Sequence, residues 1–420
     1  MDIKNTKKIV ILVDAYSSGN DVAPEFNKKG YGCAHIQSRE DIPAKLLNSY
    51  RGDDFFISLQ YTGDEILNQL QEYDVIAVIA GCETGIELAD HLAELLDLPG
   101  NDTGTSRSRR NKYLMQECLK NSAINHIPTH RLTTLKDATQ YATELFKKYR
   151  KLVLKPVDSA GTDSVFVCKT VEEVEAHSGD LFKKSNQLNL KNEVIILQPF
   201  IEGEEYVVDT VSYQGRHKIC AIWKMGKGSY NGADSICEFT ELTSFDAQNH
   251  AQLKDYIFSC LDALGITFGA AHSELFLTKD GWTLIETGAR PHGAGFPALS
   301  SLALKRTQID ELVLSVCSTE AFLEAVAEEY KPLNYLKIKE LISFSAGTIK
   351  AVKHVDTIAG LPSYKKSNLP DVDQEIKLTT DVYSSPGWIA LSHRCADQLN
   401  ADYQYIVGLE SKGMFEVYEH

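Results

Sequence analysis

The spacing of apolar and polar positions changes repeatedly along the first hundred residues. Compact apolar runs at Ile9–Asp14, Cys33–Ile36 and 73–81 predict strands, and apolar residues at helical spacing predict helices at Asp21–Lys29 and 83–98. Strands that alternate with helices are typical of a parallel, doubly wound sheet covered on both faces. We therefore expect an N-terminal α/β layer of this kind.

The loops after two of these strands, "DAYSSG" and "AGCETG", lack the GxGxxG fingerprint of dinucleotide-binding folds. They are compatible both with plain turns at strand ends and with loops that touch a substrate. We interpret the layer as mainly structural, with modest substrate contacts.

Helix and strand patterns are mixed in the rest of the chain. Helices are predicted over Lys112–Asn121, Thr133–Tyr149, 251–266, Gln308–Val316 and Thr319–Tyr330. Strands are predicted within 152–167, 193–213, 218–225 and 268–295, and several short strands are expected after residue 330. The polar segment 225–235, "MGKGSYNGADS", predicts either a loop that closes over a site or an ordinary long hairpin loop.

Composition and charge limit the class of protein. A chain of 420 residues is long enough for two or three domains, and 43% hydrophobic with 24% charged residues is ordinary for a globular protein. The net charge of −15 argues against a nucleic-acid or anionic-membrane partner. Nine dispersed cysteines indicate reduced thiols and a cytoplasmic location. An acidic protein that binds a polyphosphate must concentrate its cations locally and recruit metal ions.

A lysine ends the first apolar run of "LVLKPVDSAGTDSVFV", residues 152–167. A bare ammonium at the inner end of a buried strand is costly unless an anion meets it. The loop that follows carries small residues and one glycine, so its backbone N–H groups can face phosphate oxygens beside Lys155. A glycine, serine and aspartate turn without a ligand remains the alternative for this loop alone.

The segment "QPFIEGEEYVVD" has the character of a hinge between two strands. Gln198 ends an apolar strand, Phe200 and Ile201 follow, and Glu205 opens the next strand. Backbone polar groups beside apolar side chains suit an adenine ring, and a carboxylate just beyond suits ribose hydroxyls. The alternative is a β-hairpin with surface glutamates.

Two glutamates lie at matching distances from the turn of a predicted hairpin, "HSELFLTKDGWTLIETGAR". Glu274 and Glu286 are therefore expected to face each other, and paired carboxylates repel unless cations bridge them. Mg²⁺ shared with a polyphosphate is the natural bridge, and Arg290 adds a fixed cation. The alternative, glutamate–lysine pairs on a solvated face, fits poorly with the apolar residues on either side.

Taken in order, "RNKYLM", "LVLKP", "DSAGTDSV", "LQPFIEGEEYVVD" and "HSELFLTKDGWTLIETGAR" resemble the motifs of the ATP-grasp superfamily. The resemblance covers roughly residues 106–300. "HSE" followed by "IETGARPHGAG" is similar to the L-amino-acid ligases, which join two amino acids into a dipeptide, and in particular to an arginine-preferring ligase of the rhizocticin-pathway type.

The resemblance implies an ATP-grasp fold of α/β and α+β class, divided into three parts. These are a Rossmann-like, doubly wound N-terminal domain over 1–105, an ATP-grasp domain over 106–300, and an α+β capping portion over 301–420 that completes the active site. It also implies ATP as the nucleotide and Mg²⁺ as the metal, with two ions expected and Mn²⁺ as a substitute. The partners would be amino-acid substrates, and the chain would be a monomer or a homodimer.

The same resemblance implies a role for each matching residue. Nucleotide contacts would come from Lys112, Lys155, Ser159, Ala160, Gly161, Thr162, Ser164, Gln198, Phe200, Ile201 and Glu205, with 158–164 as a lid over the phosphates. Glu274 and Glu286 would hold the metal ions, and Arg290 would stabilise the acyl phosphate and the tetrahedral intermediate. The substrate would lie near His272, His292 and Gly293. A lone histidine is usually structural, but these two flank the expected metal carboxylates.

One position departs from the pattern of the superfamily. Many members carry asparagine two residues after the second metal glutamate, where this chain has Gly288. The second ion would therefore lack one side-chain oxygen ligand.

We expect ATP-dependent ligation of two L-amino acids through an acyl phosphate, with release of ADP and phosphate. Arginine is the candidate N-terminal substrate. The alternatives are a ligase of the same superfamily with a partner that is not an amino acid, a kinase on this scaffold, and a non-catalytic nucleotide-binding protein.

Overall fold

The computed structural model describes residues 7–159 and 163–418. The N-terminal layer is a parallel sheet with the order β3-β2-β1-β4. Its strands are β1 (Lys8–Val13), β2 (Gly32–Gln37), β3 (Ile57–Gln60) and β4 (Asp74–Ala80), and its helices are α1 (Val22–Lys28), α2 (Ala44–Leu47) and α3 (Ile86–Leu95).

Helices cover both faces of this sheet, as the alternating pattern predicted. Ile9 and Ile11 of β1 pack in one core cluster with α3, whereas Val10 and Leu12 pack in another cluster with α1. A strand that is buried on both faces reads as a continuous apolar run, which explains the uninterrupted "IVILV" of β1.

A small antiparallel sheet with the order β5-β8-β6-β7 follows. Its strands are β5 (His130–Leu132), β6 (Leu152–Pro156), β7 (Phe166–Cys168) and β8 (Ile195–Pro199), and the helices of this part of the chain are α4 (Lys112–Asn121), α5 (Leu135–Leu145) and α6 (Val171–Leu181). The hairpin predicted within 152–167 is confirmed, because β6 pairs antiparallel with β7. A capping box between Thr134 and Asp137 sets the start of helix α5 at Leu135. The helix ends at Leu145, so it is shorter than the predicted Thr133–Tyr149.

The largest sheet has eight strands in the order β13-β12-β9-β10-β11-β14-β18-β16, and every pair of adjacent strands in it is antiparallel. The strands are β9 (Glu204–Tyr213), β10 (Arg216–Tyr230), β11 (Ala233–Leu242), β12 (Phe268–Thr278), β13 (Gly281–Gly288), β14 (Tyr335–Glu340), β16 (Tyr364–Asn368) and β18 (Trp388–His393). Helix α7 (Ala247–Ala263) connects β11 to β12. The proposed division at residue 300 therefore separates strands that share one sheet.

The remaining elements of the C-terminal portion pack against different parts of this sheet. They are α8 (Phe296–Ser300), α9 (Gln308–Cys317), α10 (Thr319–Val326), β15 (Gly347–Val352), α11 (Val355–Ala359), β17 (Glu375–Ile376), α12 (Ala396–Glu410) and β19 (Phe415–Val417). Helix α12 lies where the sequence predicts short strands, so that expectation was wrong for this segment. The buried residues Leu399, Tyr403 and Ile406 recur every three or four positions, which is helical spacing.

The polar segment 225–235 is a hairpin: β10 and β11 pair up to the positions of Tyr230 and Ala233. Asn231 and Gly232 form the turn, and both have a positive φ, as a tight two-residue hairpin turn requires. The Asn231 side-chain amide donates to the carbonyl oxygens of Ser343 and Thr379 at 2.9 Å each. The tip of the hairpin is thereby attached to the C-terminal portion.

Within 7–159 and 163–418, the structure contains no helix that is both long and apolar enough to cross a lipid bilayer.

Candidate active site

Two predicted lysines meet where β6 approaches the start of α4. Lys112 is the first residue of α4, whose N-cap Asn111 accepts from the backbone N–H groups of Tyr113 and Leu114. Its own backbone N–H donates to the carbonyl of Val157, just past β6, at 2.8 Å. The Lys112 ammonium donates to the carbonyl of Ser159 at 2.6 Å. This cap and these two bonds fix the helix end against the strand end.

Lys155 is 6% exposed, and its side-chain ammonium has no hydrogen bond or ion pair with any residue in the described part of the chain. Burial lowers the pKa of its ammonium to about 8, although the carboxylates of Glu286, Glu274 and Glu205 act in the opposite direction. The lysine at the end of this buried strand is therefore a cation without a direct partner among residues 7–159 and 163–418.

The lid loop is described only at its two ends. Ser159 and Ser164 each donate a side-chain hydrogen bond to Asp163, at 2.9 and 2.8 Å. Asp163 also accepts from the backbone N–H of Gln187 at 2.7 Å. Ala160, Gly161 and Thr162, which were predicted to contact phosphate, lie outside the described residues.

The predicted hinge follows β8 and opens β9. Gln198 is buried and donates to the hydroxyl of Thr129 at 2.8 Å, whereas Phe200 and Ile201 are half-buried. Glu205 pairs with Lys227 at 2.5 Å, and burial raises the pKa of this carboxyl. The sequence analysis did not identify Lys227, which reaches Glu205 from the neighbouring strand β10.

The two predicted metal carboxylates lie side by side, because Glu274 of β12 and Glu286 of β13 are direct partners in the strand register. Glu286 forms an ion pair with Lys112 at 2.7 Å, and His272 lies 3.5 Å from Glu274. Burial alone would raise the pKa of Glu274, but the hydrogen bond and charge of His272, with Lys227 and Lys112 nearby, lower it to about 2. The register prediction is therefore confirmed.

These carboxylates fit a hard divalent cation. Paired carboxylate oxygens are the donors that Mg²⁺ prefers, and Gly288 contributes no side-chain donor two residues further on. The ammonium of Lys112 offsets only part of the local negative charge.

A buried aspartate orients both predicted substrate histidines. Asp209 of β9 is 3.2 Å from Nδ1 of His272 and 3.0 Å from Nδ1 of His292, and Trp223 donates to it at 2.9 Å. The histidines keep the pKa of Asp209 below its usual range, although burial acts to raise it. The sequence analysis missed Asp209, whose signal was an acidic residue within the apolar strand "YVVDTVSY".

Arg290 is held by a residue of the N-terminal layer. Its Nε donates to Oε2 of Glu83 at 2.9 Å, and its Nη1 donates to the carbonyl of Pro291 at 2.9 Å. The other oxygen of Glu83 pairs with Arg110 at 2.5 Å. Burial raises the pKa of Glu83, but the guanidinium groups of Arg110 and Arg290 lower it to about 2.

The first N-terminal loop, "DAYSSG", touches the segment that contains Gly293. The hydroxyl of Ser17 accepts from the backbone N–H of Ala294 at 3.2 Å, and that of Ser18 accepts from Gly295 at 2.9 Å. Both loops, "DAYSSG" and "AGCETG", therefore contact the region of the candidate active site. The sequence analysis did not single out Glu83, because its loop contains no recognised motif.

Comparisons with known proteins show the family and the fold of the chain. A family model described as an ATP-grasp domain matches residues 149–296. Dapdiamide A synthase of Enterobacter agglomerans is 31% identical over 398 residues, which cover 93% of this chain and 92% of the relative.

Two solved structures have the same fold over nearly the whole chain. The L-amino acid ligase of Bacillus licheniformis has a TM-score of 0.74 at 19% identity and covers 99% of both chains. A carboxyaminoimidazole ribonucleotide synthase of Aspergillus clavatus, complexed with ATP, has a TM-score of 0.66 at 14% identity, over 97% of this chain and 99% of its own. The near full-length similarity to dapdiamide A synthase, together with the ATP-grasp fold, shows that this chain belongs to the ATP-grasp L-amino-acid ligase family. The members of this family are ATP-dependent carboxylate–amine ligases.

Proposed function

We propose that the protein joins two L-amino acids into a dipeptide through an acyl phosphate, with release of ADP and phosphate. The observation that carries the proposal is the convergence of Lys112 and Lys155 with two adjacent carboxylates, Glu274 and Glu286. Lys155 is buried, and no described residue bonds to its ammonium. Such a set of charges suits a metal-bound triphosphate.

In the first step the carboxylate of one amino acid attacks the γ-phosphorus of ATP. Lys112 and Lys155 would neutralise phosphate charge, and the hinge at Gln198, Phe200 and Ile201 would take the adenine. Glu205 would contact the ribose. Further nucleotide contacts would come from the lid, at Ser159, Ala160, Gly161, Thr162 and Ser164.

Glu274 and Glu286 would hold magnesium, with two ions expected and manganese as a substitute. Bound there, the metal supplies positive charge against the phosphate oxygens.

In the second step the amine of the other amino acid attacks the acyl phosphate, and inorganic phosphate leaves. Arg290 would stabilise the charge that develops on the tetrahedral intermediate. Gly293, His272 and His292 would lie beside the substrates, and the Asp209 carboxylate fixes the orientation of both imidazole rings. Water must be excluded because it would hydrolyse the acyl phosphate.

Arginine is proposed as the N-terminal substrate. A cationic side chain would find Glu340 at the end of β14, on the face of the large sheet that carries Glu274, as the strand register indicates. Burial raises the pKa of Glu340 to about 7, and this carboxylate forms no ion pair within the described residues. The proposal includes a cytoplasmic location and a monomer or homodimer.

The test is incubation with ATP, Mg²⁺ and amino acids, singly and in pairs, including arginine, followed by measurement of phosphate and product mass. We expect phosphate release that requires two amino acids, and a product lighter than their sum by one water. A phosphorylated product would indicate a kinase, and binding of ATP without turnover would indicate a binding protein. A requirement for a partner that is not an amino acid would indicate another ligase of this superfamily.

A further inference from the structure

The Glu83 carboxylate lies between two arginines. Oε2 accepts from Arg290 and Oε1 from Arg110, and the three side chains are between 9% and 16% exposed. Hydrogen bonds between ionised groups are stronger and more directional than neutral ones, and a guanidinium offers them in a fixed planar fork. The contact therefore restrains the plane of the Arg290 guanidinium.

Only some of the N–H groups of Arg290 are used by the protein. Glu83 takes the Nε proton and Pro291 takes one proton of Nη1. A guanidinium has five such donors, and no other described residue accepts from Arg290, so the remaining donors can face an anion. One glutamate also neutralises only one of the two arginines, which leaves a net positive charge beside the candidate metal carboxylates.

The absence of a side chain at position 288 makes this contact possible. A Cβ added to Gly288 would lie 2.8 Å from Oε2 of Glu83 and 3.3 Å from Nε of Arg290. Such contacts are too short to be tolerated without movement, and the movable atoms are those of the Glu83 carboxylate. The glycine that departs from the usual asparagine thus provides the space that Glu83 occupies.

We propose that Glu83 is a positioning residue for Arg290, and that Gly288 is glycine in this chain to admit it. The inference rests on the proposed function, because it assumes that Arg290 stabilises an acyl phosphate. Prearranged donors lower a barrier more than mobile ones, since no reorganisation is needed during the reaction. The N-terminal layer then contributes directly to the geometry of the reaction.

Glu83 could instead replace the missing asparagine as a ligand of the second metal ion. Both of its oxygens already accept from guanidinium groups, which compete with a metal for the same lone pairs. The positioning role therefore accounts better for the contacts, and the two roles predict different dependence on magnesium.

The test compares Glu83→Gln and Gly288→Ala with two matched controls. Glu87→Gln changes an exposed glutamate four residues away in α3, and Gly408→Ala adds a Cβ where no atom lies within 4 Å. The measurements are kcat, KM for ATP and for each amino acid, the Mg²⁺ concentration for half-maximal rate, calorimetric ATP affinity, and Tm.

We expect each site variant to lower kcat by about 10–100-fold, while ATP affinity changes by less than about twofold. The double variant should be no slower than either single variant, because both changes displace the same contact. The controls should match the wild type. If Glu83→Gln fails to fold, Gly288→Ala still decides the matter, since it retains every charged group.

Two results would overturn the inference. One is a kcat close to that of the wild type in the folded site variants. The other is a raised magnesium requirement with full kcat at saturating Mg²⁺, which would make Glu83 a metal ligand. An inactive wild type would instead contradict the proposed function, so the two failures are distinguishable.

Discussion

Four lysines of the described residues are buried on strands, and among them only Lys155 has no partner for its ammonium. Lys218, Lys337 and Lys339 each bond to a carboxylate or a carbonyl oxygen. Lys339 of β14 is 1% exposed and pairs with Glu410 of α12 at 2.9 Å, with a further hydrogen bond to the carbonyl of Glu340. Lys155 of β6 is 6% exposed, yet no described residue bonds to its ammonium. Lys339 is satisfied by the fold, and Lys155 is not.

The difference indicates which buried charge serves structure and which serves a ligand. A buried ion pair is complete without any other molecule, so it can lie inside an ordinary core. A buried ammonium without a partner costs free energy in the empty protein, and an anionic ligand recovers that cost on binding. Three variants and one dependence on pH test this difference.

The largest effect is expected from Glu286, which faces the same space as Lys155. Glu286→Gln should lower the rate of product formation by at least about 10²–10³-fold, because a charged ligand for the metal is lost at the reacting phosphate. The matched control is Glu241→Gln, which removes another half-buried carboxylate of the same sheet, paired with the buried Lys337. Normal turnover in Glu286→Gln, measured as phosphate release and product mass, would contradict the site assignment.

The next effect is on stability. Lys339→Met should destabilise the fold by about 3–5 kcal/mol, because it leaves the Glu410 carboxylate buried without its cation. Urea unfolding followed by circular dichroism measures this. The double variant Lys339→Met/Glu410→Met should recover most of the loss. If the single variant unfolds like the wild type, the pair contributes nothing to stability and the comparison fails.

Lys155→Met should weaken ATP binding without destabilising the fold. Because no described residue bonds to this buried cation, its removal should leave the free energy of unfolding unchanged or higher. ATP affinity should fall by about 10–100-fold, because one or two charge-assisted hydrogen bonds to the nucleotide are lost. Calorimetry with ATP and the same urea unfolding test both statements. A large loss of stability with unchanged ATP affinity would show that Lys155 stabilises the fold, as Lys339 does, and does not bind the nucleotide.

The smallest expected effect is a dependence of stability on pH that arises from Lys155. The pKa of Lys155 in the folded protein is about 8, below the value of about 10.4 for an unfolded chain. The folded state therefore binds fewer protons between these values, and this residue's contribution to stability becomes less unfavourable as the pH rises through that window.

Nucleotide binding should reverse this shift, because an anion favours the protonated lysine. At pH 8 we expect uptake of roughly half a proton per ATP from this group. Calorimetry in two buffers of different ionisation enthalpy measures the uptake, and Lys155→Met should lose it. Equal uptake in that variant would assign the proton to another group.

The parts of the site that the sequence predicted are those with short-range causes. The hairpin turn near Asp280 sets the register as far as Leu275 and Leu284, and a bulge beyond that pair brings Glu274 opposite Glu286. Apolar periodicity with an N-cap fixes the start of α4 at Lys112. The alternating pattern of the first hundred residues likewise predicted the parallel sheet and its helices.

The parts that the sequence did not predict depend on distant contacts. Glu83 and Arg290 are 207 residues apart, and nothing in either local pattern indicates that they meet. Asp209 could have faced either side of its strand, since a single acidic residue does not reveal which side is buried. Helix α12 was missed because its apolar residues are few and interrupted by polar ones.

The eight-stranded sheet has a consequence for engineering. Its middle strands β11 and β14 are neighbours, although one comes from before residue 300 and the other from after it. Exchanging the C-terminal portion with that of a relative would therefore cut a ladder of main-chain hydrogen bonds rather than detach a lid. Libraries aimed at new amino-acid pairs should keep this junction intact and vary single side chains around it.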